Sequence, residues 1–83
     1  MANPEHVEVV KQGAEAIGQW REKNPGVTLD LREADLREVN LHGADLDWAN
    51  LDGADLRRII LSGAKLRQAN LSRTDLGGQP LLG

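Results

Sequence analysis

The sequence predicts a short all-β solenoid with one helix at its N-terminus. Three observations predict it. A leucine falls at every fifth position from residue 31 to residue 81. Aspartate or asparagine precedes most of these leucines, and glycine often follows two residues later. The first 28 residues carry no such repeat, and show helical spacing instead. The chain divides accordingly into 1–28, a capping helix and turn, and 29–83, the repeat.

The helix comes first. Asn3-Pro4 reads as an N-cap followed by proline at the first helical position, where its missing N–H costs nothing. Val7, Val10, Ala14 and Ile17 follow at three- and four-residue spacing, and Trp20 continues the stripe. Lys11, Glu15, Gln19 and Glu22 supply the wet side. Asn24-Pro25-Gly26 is strong breaker chemistry. The expectation is one helix from about Pro4 to Lys23, with Val7, Val10, Ala14, Ile17 and Trp20 packed as a lid over Leu29, Leu31 and the start of the repeat. Repeat arrays need such caps because a terminal unit otherwise exposes backbone and apolar surface.

The repeat has a period that fits neither regular element. Five residues of helix advance about 500°, so the leucines would spiral around its axis. An odd period on a flat strand flips alternate leucines to opposite faces. Each unit must therefore bend, and Gly43, Gly53, Gly63 and Gly78 beside Asp or Asn are suitable bend chemistry. The expected object is a coil wound around a core of Leu31, Leu36, Leu41, Leu46, Leu51, Leu56, Leu61, Leu66 and Leu71.

With its unit A-[DN]-L-x-x running in phase over about residues 29–83, the chain resembles the pentapeptide-repeat family. The resemblance implies a right-handed quadrilateral β-helix, four units per coil and about two and a half coils here. It also implies that the small residue two before each leucine points inward. Leu29, Val39 and Ile59 are larger than the alanine usual there, and Thr74 and Gln79 are polar. Units twenty residues apart would then stack. Asp35, Asp55 and Asp75 would share one column, and His42 would stack above Ser62 in another. Asp45 would pair with Lys65 and Asp47 with Arg67. An N-terminal helix ahead of the array also resembles this family.

Composition narrows function by exclusion. The chain has 83 residues, no cysteine and two aromatic residues, Trp20 and Trp48. No thiolate metal site and no disulfide framework is available. The net charge of -3 leaves no basic footprint for nucleic acid. The start lacks signal-peptide character, and no apolar run approaches a membrane span, so the expected location is the cytoplasm. His6 and His42 have no companions at metal-ligand spacing and read as solvated surface histidines. Gly13 and Gly18 bracket a stretch without the lysine and hydroxyl of a phosphate loop. Neither catalytic residues nor cofactor or metal ligands are expected, so an enzyme is not.

What remains is apolar surface that the repeat does not require. Ile60 stands where a polar residue is usual, and Pro80, Leu81 and Leu82 lie near it in the coil register. Together with Leu76 these form the candidate interface. The expected function is a non-catalytic protein-interaction or assembly module. Its partner is a second copy, tail to tail, or a domain fused after Gly83; neither nucleic acid nor membrane is bound directly. The alternative implied by the resemblance is a DNA-mimicking protector or inhibitor of a type II topoisomerase such as DNA gyrase. Residues 29–83 hold nine acids and seven bases, a net charge of -2, and this is far from the charge field of a duplex.

Overall fold

The computed structural model describes residues 1–78. The expectations placed on Pro80, Leu81 and Leu82 fall outside the described residues.

Two helices open the chain, not one. Helix α1 spans Pro4–Lys11 and helix α2 spans Ala14–Lys23. The Asn3 side chain accepts the Glu5 N–H at 2.9 Å, and Pro4 sits in the first turn. The single helix from Pro4 to Lys23 is corrected at Gln12-Gly13. There the N–H groups of Gln12 and Gly13 turn back to the carbonyls of Val9 and Val10, at 3.1 and 3.0 Å. Gly13 then takes φ 101°, in the left-handed region that glycine enters without a Cβ penalty. Helix α2 ends at Asn24, whose backbone and side-chain N–H groups both reach the Trp20 carbonyl, at 2.9 and 2.8 Å.

From Asp30 the chain winds with a period of twenty residues. Asp30 bridges in parallel to Asn50, Asp35 to Asp55, Asn40 to Ile60 and Asp45 to Lys65; Asn50 and Asp55 bridge onward to Asn70 and Asp75. Three backbone bonds recur. From Leu31 to Leu56 each repeat leucine N–H donates to the carbonyl nineteen residues ahead, as Leu31 does to Asn50 at 2.8 Å. From Leu31 to Leu51 the N–H two residues later does the same, as Glu33 does to Asp52 at 2.9 Å. The bridging residue donates back, as Asp55 does to Ala34 at 2.9 Å.

The corners explain the period. In each unit the third residue after the leucine donates to the leucine carbonyl, as Ala34 does to Leu31 at 3.1 Å. The residue before it has positive φ, for example 61° at Glu33 and 68° at Trp48. A positive φ at the third turn position with this closing bond is the signature of a type II turn. The Asp or Asn side chain ahead of the leucine accepts the next turn N–H: Asp35 from Arg37 at 3.2 Å, Asn40 from His42 at 3.0 Å. That is an Asx turn, the local reason Asp and Asn recur.

These corners also overturn the strand content expected above. Two residues of every five are in a turn and one forms a bridge, so no run is long enough to make a strand. The all-β solenoid, the right-handed quadrilateral β-helix behind one capping helix, is corrected accordingly. Among the described residues the regular secondary structure is the two helices, with no β-strand, and the repeat stacks through isolated one-residue bridges.

The core runs through both parts. Val10 and Ile17 of the helices are buried with Leu29, Leu31, Leu36, Leu41, Leu46, Leu51, Leu56, Ile59, Leu61 and the small Ala34, Ala44, Ala49 and Ala54. Val7, Ala14 and Trp20 are partly buried against it, and so are Leu66, Leu71 and Leu76. Val10 of helix α1 and Ile17 of helix α2 are both fully buried, so each helix contributes one such residue to the core.

Candidate interaction surfaces of the coil

At the first coil's lower edge the helices reach Asp30 and the Asp45–Asp47 corner, while the N–H groups of Asp35, Asn40 and Asp45 meet no acceptor among the described residues. The Asp30 N–H donates to His6 Nδ1 at 2.9 Å, and the Asn3 N–H donates to the Asp30 carbonyl at 3.1 Å. Arg21 Nη2 donates to the Asp47 carbonyl at 3.1 Å, and its Nε lies 3.6 Å from the Asp45 carboxylate. His6 is therefore not the solvated surface histidine expected from spacing. It is 8% exposed, and its ring meets Trp20 edge-on at 4.9 Å. Because a backbone N–H can only donate, Nδ1 must be the accepting nitrogen and the ring proton sits on Nε2. Composition carried no signal for this role; it follows from where helix α1 lands.

The last coil's upper edge differs. In lower units the leucine N–H and the N–H two residues on donate upward. At Leu66, Gln68, Leu71, Arg73 and Leu76 these donors meet no acceptor among the described residues. Leu66, Leu71 and Leu76 are only partly buried, while the leucines beneath them are closed over.

Three outer faces of the coil carry charge ladders. Arg37 grips Asp35 through Nε and Nη2 at 2.9 and 2.8 Å, and Arg57 grips Asp55 the same way at 2.9 and 2.6 Å. Arg37 and Arg57 also approach the aspartate one coil up, at 3.7 Å in both cases. The Arg37 guanidinium holds the Asp35 carboxyl far below the usual carboxylate range, and Arg57 lowers Asp55. Arg73 does the same for Asp52, and Arg67 for Asp47, with burial opposing both. The expected pair Asp47–Arg67 forms at 2.7 Å. No ion pair joins Asp45 to Lys65 among the described residues; the Asp45 carboxylate faces Arg21 instead.

A groove of about 550 Å³ lies along one ladder, lined by Lys11, Asp35, Arg37, Glu38, Arg57, Arg58 and Gly77. Its Arg37 and Arg57 are already saturated by aspartate, and Arg58 reaches Glu38 at 3.5 Å. It therefore holds no cluster of unpaired guanidinium groups for an anion.

Asx-capped corners repeating every five residues around a leucine core decide the kinship. The family model described as pentapeptide repeats matches residues 29–53 and 40–78, with eight copies of the unit. The chain belongs to the pentapeptide-repeat family. Neither a curated protein nor a solved structure matches it. The kinship expected over residues 29–83 behind a single capping helix is corrected in two respects. The match stops at residue 78, and the segment ahead of the repeats is a helix pair.

Within these pentapeptides the remaining candidates sort by exposure. His42 Nδ1 lies 2.8 Å from Ser62 Oγ, so the stacked pair does meet. Neither the carboxylate that would orient the imidazole nor burial accompanies it, and an activated nucleophile needs that third group. Among the described residues no cluster of His, Cys, Asp and Glu is placed to hold a metal. No helix among them is long and apolar enough to cross a membrane. Trp48 and Ile60 are 63% and 46% exposed, the former at a left-handed corner.

Proposed function

We propose that the chain is a non-catalytic interaction and assembly module that joins a second copy tail to tail, through the upper edge of its last described coil. The observation that carries this reading is the inequality of the two edges. The first coil's leucines are fully buried with the helices bonded over Asp30 and Asp47, while at the upper edge Leu66, Leu71 and Leu76 are only partly buried beside N–H donors that meet no acceptor among the described residues. Unpaired edges of this kind are templates for another chain. A two-fold contact, the commonest closed geometry, covers both copies' edges at once. Leu76 belongs to that edge. The topoisomerase-directed alternative has less support, because arginines neutralise the aspartate ladders that a DNA mimic would leave bare. The cysteine-free composition fits the reducing cytoplasm, which we take as its setting.

Sedimentation equilibrium tests the reading. Wild-type chain at tens of micromolar should be a dimer, and Leu76→Lys should shift it to monomer with the lower coils still folded by circular dichroism. A wild type that sediments as a monomer across that range removes the tail-to-tail contact.

A further inference from the structure

We infer that a second, lateral surface of this chain binds another copy of itself: the uncharged face made by residues 39–43 and 59–63, with Ile60 as its anchor. The inference rests on reading the chain as an assembly module, and adds a contact distinct from the coil end.

Charge distribution sets this face apart. Residues 29–78 hold seven aspartates, two glutamates, six arginines and one lysine, and none of them falls in 39–43 or 59–63. The outward residues there are Asn40, His42, Gly43, Ile60, Ser62 and Gly63, all exposed. Gly43 and Gly63 stack at one corner, with φ 71° and 70°, and leave it flat.

Ile60 breaks the local rule of the coil. The residue ahead of each leucine is elsewhere Asp or Asn, with Lys65 the other exception in the described coils. At those Asp and Asn positions the side chain accepts the N–H two residues on: Asn50 from Asp52 at 3.1 Å, Asn70 from Ser72 at 3.0 Å, Asp75 from Gly77 at 2.9 Å. Where Lys65 cannot accept, the Asp47 carboxylate takes the Arg67 N–H at 2.9 Å in its place. Where Ile60 cannot accept, nothing replaces it, and the Ser62 N–H has no partner among the described residues. Ile60 therefore forfeits a turn-closing bond and exposes an isoleucine side chain in exchange. A residue that breaks a local rule without structural compensation points to function.

The occupant follows from charge. On the other faces a partner would have to desolvate carboxylate–guanidinium pairs, which is costly unless every group is re-paired. The neutral face carries no such cost. Against its own two-fold copy it brings no like charges together, and each Ile60 covers the other on a surface flat enough for close approach.

The decisive variant is Ile60→Asp, because it separates folding from docking. An aspartate here restores the acceptor for the Ser62 N–H, so the monomer should melt no lower than its parent. It also places two like charges across the proposed two-fold, so docking should be lost. Made in the Leu76→Lys background, where the tail contact is absent, it reports the lateral face alone. Leu76→Lys should still dimerise at high micromolar concentration, and adding Ile60→Asp should give monomers. In wild type, amide shifts that move with protein concentration should include residues 40–43 and 60–63, a map that needs no variant. A monomeric Leu76→Lys chain without such shifts overturns the lateral contact and leaves the tail contact standing. Dimers that survive Ile60→Asp overturn it as well. Dimers insensitive to Leu76→Lys but abolished by Ile60→Asp would instead remove the tail contact.

Discussion

The two ends of the described coil are built from the same pentapeptide and finish differently. At the lower end the bridging residue Asp30 has both backbone groups met, by His6 and by Asn3. At the upper end Leu66, Leu71 and Leu76 keep their N–H groups unmet among the described residues, and their side chains are only partly covered. A repeat thus specifies how each unit stacks on the next, and is silent about how a stack ends. The non-repeating N-terminal segment supplies that information at one end through two side chains, His6 and Arg21, and the backbone N–H of Asn3.

The strongest way to break the comparison is to bury a charge at each end in turn. Leu51→Asp places a carboxylate in a closed layer. Loss of the leucine alone costs about 2–5 kcal/mol, and burying an unpaired charge adds to it, which exceeds what a domain of this size can spare. Its circular dichroism should be that of an unfolded chain. Leu71→Asp, at the partly covered edge, should leave a folded chain with a lower melting temperature. Equal damage from the two would mean that the upper layer is as closed as the lower.

A smaller effect isolates the cap. His6→Ala removes the acceptor for the Asp30 N–H and the edge contact with Trp20. Leaving a buried donor unmet costs about 1–3 kcal/mol. His6→Asn keeps an oxygen acceptor near the place of Nδ1 and should recover part of that loss. Hydrogen exchange at the Asp30 amide reads this directly. It should quicken in His6→Ala and remain slower in His6→Asn; identical exchange in all three chains would strike out the capping bond.

The smallest effect is expected from acid, through the aspartates paired with arginine. Asp30, Asp35, Asp47, Asp52 and Asp55 are all held below their ordinary range by hydrogen bonds from Arg32, Arg37, Arg67, Arg73 and Arg57 respectively. A lowered folded value means that the unfolded chain takes up protons first. The stabilisation is therefore complete above about pH 4, the unfolded aspartate value, and is lost as pH falls through the folded values beneath it. Melting temperature should be flat from pH 7 to about 5 as far as these groups contribute, then decline, more shallowly in Asp35→Asn. Added salt should shrink the decline, because most of these pairs are exposed.

Much of the coil was legible because its signals are local. Leucine every fifth residue needs a bend per unit, and Asp or Asn ahead of each leucine is the side chain that closes the bend, as Asp35 does onto Arg37. The helix start was legible for the same reason, in Asn3 and Pro4. The break between the helices was written in Gly13, yet a lone glycine inside an amphipathic stripe is also tolerated in an unbroken helix. Strand content was over-read, because alternation within a unit does not reveal that the corner leaves one residue for bridging. Stacking alone pairs Asp45 with Lys65, but a helix side chain, Arg21, reaches Asp45 instead.

The sequence alone determined the inward leucines, the corner chemistry and the anomaly at Ile60. Each depends on residues within a few positions of one another, where chain geometry leaves little choice. Only the tertiary structure decided that His6 is an acceptor, that Arg21 caps the first coil, and that the Ser62 N–H meets no acceptor among the described residues while the Arg67 N–H does. Those outcomes depend on which groups arrive within hydrogen-bond reach after twenty or more residues of chain, and hydrogen bonds tolerate only a few tenths of an ångström.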